Sequence, residues 1–236
     1  LALGSAFGVD KAGVVDLTSS PPSAYSPLSN GGEFTPGVAV TPDSRYALVT
    51  GQSGTGSLTV IDLKASPAPA VVSTLSMSSV GLSSTQPCEI AISADGSAAY
   101  VSLLGYHSVG DDAVAEFDLT SLPTITLARV LQVADQPIGV AVSDNGKFLA
   151  TANQAGTATH NVSIVNLDTS TLTNIDLGHA AWDVAFTPDG TRAYVTEPSA
   201  DAVAVIDLTT PTPSLLTTIA FASGSAPRGI AATPDG

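Results

Sequence analysis

Apolar and polar residues alternate in short runs along this chain, and the runs return at a fixed interval. One kind of run is apolar and closed by a turn: GVAVTPDS (37–44), EIAISADG (89–96), GVAVSDNG (139–146), DVAFTPDG (183–190) and GIAATPDG (229–236). A second kind ends in Asp or Asn before Leu: VVDL (14–17), VIDL (60–63), EFDL (116–119), IVNL (164–167) and VIDL (205–208). The two kinds alternate without exception. From Ser44 to Gly236 there are 192 residues over four intervals, a mean period of 48, and Asp16 to Asp207 agrees at 191 over four. Alternation with a period of two suits strands whose faces meet different surroundings, and no segment carries the 3.6-residue period of an amphipathic helix. Each unit therefore reads as four short strands, with almost no helix. The turn-closed run is first and a strand such as 47–50, 99–102, 149–152 or 193–196 is second. The Asp/Asn-Leu strand is third, and a weaker fourth, such as 126–133 or 215–221, follows a link rich in Ser, Thr and Pro.

Thr187-Pro188-Asp189-Gly190 explains the turn physically. Proline presets φ at the first central position, Asp suits the second, and Gly accepts the left-handed conformation that closes a hairpin. Four antiparallel strands repeated at 40–50 residues are the pattern of a β-propeller blade, so the fold class is all-β, a β-propeller of four-stranded antiparallel blades. Ala39, Ala91, Ala141, Ala185 and Ala231 are alanine in every unit. A small side chain there lets neighbouring blades approach, while Val38, Ile90, Val140, Val184 and Ile230 fill the other face. The units run approximately 1–36, 37–87, 88–137, 138–181 and 182–227, with 228–236 starting or completing a blade, all in a single domain. Five blade-equivalents leave two arrangements, a closed five-bladed ring or part of a seven-bladed one. A start at Leu1 without Met and a stop inside a repeated motif favour the second.

Composition narrows the function. Seven Lys and Arg against 21 Asp and Glu give a net charge of −14, which repels phosphate backbones and argues against nucleic acid as a partner. Cys88 is the single cysteine, so neither an internal disulfide nor a cysteine-based zinc site is available. No apolar stretch approaches the roughly 18–20 residues of a membrane helix, so no membrane span is expected.

The stretches AYVTE (193–197), AYVSL (99–103) and ALVTG (47–51), each between a PDG-like turn and a VIDL-like strand, resemble the YVTN β-propeller repeat. The third such stretch, LATAN (149–153), lacks the aromatic residue. More distantly the chain is similar to seven-bladed lactonases and to the propeller domain of nitrous oxide reductase. The YVTN resemblance implies an extracytoplasmic protein, secreted, periplasmic or at the cell surface, with a protein or glycan partner at the envelope. The expected function is thus a non-enzymatic scaffold that binds a protein, glycan or small ligand on its top face or channel mouth. The alternative is an enzyme or enzyme-associated domain, either a lactonase-like hydrolase or an electron-transfer partner domain. Three histidines are too few for copper chemistry.

Candidate chemistry gathers at one end of the strands. Just upstream of the alanine column stand Gly37, Glu89, Gly139, Asp183 and Gly229, where glycines would leave space for two carboxylates to project. Beside them are Cys88, Trp182 and Arg228. With His179 from the same end, Glu89, Asp183, Trp182 and Arg228 form the candidate ligand site at the channel mouth. No catalytic residue, metal site or cofactor is assigned. His107, His160 and His179 lie in different blades with no HxH or HExxH spacing, although Asp111, Asp112, Glu197 and Asp201 share their end of the strands. Asp16, Asp62, Asp118, Asn166 and Asp207 recur once per unit and read as turn residues bonding backbone amides. Cys88 reads as an inert buried thiol, Ser53 fails the nucleophile-elbow pattern, and the sequon at Asn161 begins a strand, a poor place for a glycan.

Overall fold

The computed structural model describes residues 2–5, 12–29, 37–52, 54–82, 85–105, 112–154 and 159–235. Their strands form one three-stranded and four four-stranded antiparallel sheets. The first sheet holds β1 (Ala2–Ser5), β2 (Ala12–Asp16) and β3 (Ser23–Ala24). The second runs β4 (Val38–Val40), β5 (Tyr46–Gly51), β6 (Ser57–Asp62) and β7 (Ala70–Ser76). The third runs β8 (Thr85–Ile92), β9 (Ala98–Gly105), β10 (Ala113–Asp118) and β11 (Thr126–Gln132). The fourth is β12 (Pro137–Val142), β13 (Phe148–Asn153), β14 (Val162–Asn166) and β15 (Thr171–Ile175). The last is β16 (Val184–Phe186), β17 (Arg192–Glu197), β18 (Ala202–Asp207) and β19 (Ser214–Ala220). Every sheet follows chain order, as hairpin connections require. The only helices among the described residues are two 3₁₀ turns, Met77–Val80 and Pro198–Ala200, and none is long and apolar enough to cross a membrane.

The chain forms two compact units, one of Leu1–Val101 with Glu116–Arg129, the other of Ser102–Ala115 with Val130–Gly236. In both, the core lies between neighbouring sheets. In the first unit Ala12 and Val14 of β2 pack with Ala47 and Val49 of β5 and Ile61 of β6, and Val38 leans on the same cluster. In the second, Phe148, Ala150 and Ile164 of the fourth sheet meet Val184, Val195 and Ile206 of the fifth, and Ala141 joins them. One sheet thus offers its alanine face to the valine and isoleucine face of the next, which explains the two columns in the first strands. Burying one such branched side chain stabilises the fold by about 1.5–3 kcal/mol.

The hairpin between first and second strands is built identically four times. Thr41, Ser93, Ser143 and Thr187 each direct a hydroxyl to the side-chain oxygen two residues on, at Asp43, Asp95, Asn145 and Asp189, over 2.6–2.8 Å. The same oxygen accepts the amide of Arg45, Ser97, Lys147 or Thr191. The residue between is left-handed: Gly96, Gly146 and Gly190 have φ of 74°, 69° and 66°, and Ser44 tolerates 56°. Glycine fits because its missing Cβ removes the steric penalty of that region.

Candidate functional site

Towards the opposite end of the strands, a hydroxyl that sequence reading passed over joins one sheet to the next. Thr50, in β5, accepts the amide of Gly37 at 2.9 Å and donates to the carbonyl of Cys88 at 2.6 Å. In the second unit Thr196 of β17 accepts from Asp183 N at 3.0 Å and donates to Arg228 O at 2.8 Å. Ser102 reaches Ile138 O at 2.7 Å. Ala152 occupies this place in β13, and there backbone alone makes a comparable link, Ala181 N to Asn153 O at 3.1 Å. The signal was present in the fourth letter of the AYVTE-type stretch, a hydroxyl in three of four units, but composition does not show that it faces a neighbouring backbone.

The glycine column does the reverse of what was expected. A Cβ at Gly37 would lie 2.5 Å from Cys88 O and 2.9 Å from Glu89 Cα, and one at Gly139 would lie 2.7 Å from Asp183 Cα. These glycines leave no opening for projecting carboxylates, because the backbone of the next sheet fills the place of their side chains. Only Gly229 has open space there.

In the first unit, Cys88 is buried and its Sγ accepts from Gln52 Nε2 at 3.0 Å. Burial, then the charge of neighbouring Glu89, pushes its thiol up to about 12, while Gln52 opposes the shift. It is therefore protonated and unreactive at neutral pH. Glu89 is half-buried in β8.

The second unit holds the other four candidates. Arg228, exposed, lies over the Trp182 ring with its guanidinium carbon 4.3 Å from the centroid. Trp182 N bonds Thr196 O at 3.0 Å, which ties the Trp182 backbone to the end of β17. Asp183 accepts Val184 N at 2.8 Å and Ile230 N at 3.0 Å, one on each oxygen. Burial raises its carboxyl and the two amides oppose the shift. Asp183 therefore anchors the segment at Ile230 rather than projecting as a free acid. His179 is exposed. Glu197, which shares this end of the strands with the histidines, is the last residue of β17 and 2% exposed. Among the described residues no hydrogen bond reaches its carboxylate. Burial raises its carboxyl, and the nearby charge of His179 pulls the other way.

The remaining polar residues are structural. Asp112 is also buried, its oxygens taking the amides of Gly105 and Gln136. Asp201 ties Gly224 N and Ala226 N, both at 2.8 Å. His160 donates its amide to Asp176. Asp16, Asp62, Asp118, Asn166 and Asp207 each accept the amide two residues on, over 2.8–3.0 Å. Asn161 is fully buried and accepts Leu177 N and Gly178 N, so the folded chain offers no side chain for glycosylation. His107, Asp111 and Ser53 lie outside the described residues. Among those described, no group of three or more His, Cys, Asp or Glu is placed to hold a metal ion.

The chain superposes on hydrazine synthase of Kuenenia stuttgartiensis with a TM-score of 0.78 and 18% identity, covering 100% of this chain and 75% of that one. A proposed 6-phosphogluconolactonase of Bacteroides fragilis gives 0.69 at 17% identity, over 99% and 71% of the two chains. One from Bacteroides uniformis gives 0.66 at 15%, over 89% and 64%. At these identities the likeness is one of fold. No curated protein sequence matches this chain. The family model described as a seven-bladed β-propeller lactonase matches residues 38–181, more than half of the sequence. Its repeated four-stranded sheets agree with that architecture, and the chain belongs to the seven-bladed β-propeller lactonase family.

Proposed function

We propose that this protein is a non-enzymatic extracytoplasmic scaffold of the YVTN-like kind, binding its ligand at the end of β17 where Arg228, Trp182 and His179 gather with Glu197. One observation carries the reading: Glu197 is 2% exposed with no hydrogen bond to its carboxylate among the described residues. A buried carboxyl without a hydrogen-bond partner is costly in either protonation state, so such a group fits a partner that supplies one. Arg228 offers an exposed cation steadied on an aromatic face, suited to an anionic group. The two together suit a ligand with a hydrogen-bond donor at one end and negative charge at the other. Of the residues singled out in the sequence, Cys88 is held protonated by burial and Asp183 is tied by two backbone amides. The YVTN-like stretches and the acidic composition support an envelope location.

A second reading, lactone hydrolysis, is favoured by the family and by Glu197, since a carboxyl held towards its protonated form could serve as a general acid. Two assays separate them. Immobilised protein is screened against cell-wall glycans and envelope proteins, with association expected and lost in Glu197→Gln and Arg228→Ala; no association with any of them overturns the scaffold reading. Hydrolysis of δ-gluconolactone is followed in parallel. Turnover that disappears in Glu89→Gln, Glu197→Gln or Arg228→Ala establishes the enzyme, and rates unchanged by all three remove it.

A further inference from the structure

The turn end of the first unit holds a cavity of about 530 Å³, lined by none of the residues just discussed. Its apolar lining comes from Pro42, Tyr46, Leu119 and Leu122, and Asp43 and Asp95 line it as well. Tyr46 and Leu119 are buried, whereas Pro42 and both carboxylates are exposed. The two turns approach closely here, since a Cβ at Gly96 would come within 3.1 Å of Pro42 Cδ.

We propose that this cavity receives a lysine side chain from a partner protein, its aliphatic stem against Pro42, Tyr46, Leu119 and Leu122 and its ammonium at Asp43 and Asp95. The turn chemistry selects the cation. In Asp43 one oxygen, Oδ1, takes both the Thr41 hydroxyl and the Arg45 amide. In Asp95, Oδ1 takes the Ser93 hydroxyl and the Ser97 amide, and the Ser97 hydroxyl spans both oxygens. Neither carboxylate keeps two open oxygens for the parallel bonds of a guanidinium, whereas an ammonium needs a single acceptor. Asp43 already faces cations of this chain: Lys64 donates to its carbonyl at 3.1 Å, and Arg45 lies over Tyr46 and pairs with Asp62. No cation contacts Asp95 among the described residues, so Asp95 is the main anchor. Its turn hydrogen bonds hold that carboxyl at about 2, ionised throughout the physiological range. A net charge of −14 steers a basic partner to the surface.

The test exploits Asn145, which forms the same turn with bonds of 2.8 and 3.0 Å, so Asp→Asn removes charge and keeps the hairpin. Full-length protein is titrated with N-acetyl-lysine methylamide at low salt while the amide resonances of Gly96, Ser97 and Thr120 are followed. Saturable shifts are expected, absent with the uncharged norleucine analogue. Affinity should fall about threefold or more in Asp95→Asn and further in Asp43→Asn/Asp95→Asn. It should be unchanged in Asp189→Asn, the same turn away from the cavity. Absence of saturable shifts, or equal affinity in the double variant with native circular dichroism, overturns the proposal. Tighter binding of the arginine analogue overturns the choice of lysine. Butylammonium, which carries the same stem and ammonium, should bind with similar affinity, and its failure to bind would overturn the assigned contacts.

Discussion

Replacing Thr50 by valine isolates the hydroxyl that joins two sheets in the first unit. Valine keeps the shape and removes both hydrogen-bonding roles. Thr50 is fully buried, as is the Gly37 backbone, and Cys88 is 4% exposed, so water cannot substitute. Gly37 N loses its acceptor at 2.9 Å and Cys88 O loses its donor at 2.6 Å. Each buried group left without a partner costs about 1–3 kcal/mol, so losing two should cost Thr50→Val about 2–6 kcal/mol. Thr50→Ser retains the hydroxyl and sheds a methyl group, and should stay within about 1 kcal/mol of the parent. Urea unfolding followed by far-ultraviolet circular dichroism measures both. A valine variant within about 0.5 kcal/mol of the parent, or a serine variant that falls as far as valine, would refute the hydroxyl link.

Glu197→Gln should be more stable than the parent at pH 7, and the advantage should vanish in acid. The folded carboxyl is raised above its ordinary value of 4.5, so the unfolded chain releases its proton first as pH rises, and the parent loses stability from there up through the raised folded value. Thermal melts at pH 4 and pH 7 read the difference; an equal gap at both contradicts the burial argument. Cys88 should resist Ellman's reagent at pH 8 in the folded protein and react promptly in urea, given a thiol raised to about 12. Rapid labelling of native protein would show that burial does not protect it.

Much of the blade was legible because strand and turn chemistry are local. The two-residue alternation in 38–40 and 90–92, the Pro-Asp-Gly turn and the Asp before Leu each carry their reason within a few residues, and the observed hairpins use those residues as read. The candidate rim was legible only in part. Arg228 and Trp182 belong to one column of the repeat, and their ring contact could be anticipated from it. Asp183, by contrast, is tied to Ile230, 47 positions away, and Glu197 is buried at the end of its strand despite its charge.

The repeat in the sequence determined by itself the strand count per blade, the turn type and the small and large faces of the first strands, since these follow from periodicity and backbone sterics. Tertiary structure alone decided which polar groups are spent on the scaffold. Gly37 and Gly139 crowd the backbone of the following blade instead of opening a channel, Thr50 bridges two sheets, Thr196 holds the segment at Arg228, and Glu197 has no hydrogen-bond donor among the described residues. The reason is physical: a polar atom's role depends on the partner and water within about 3 Å of it, and those neighbours come from chain segments tens of residues away.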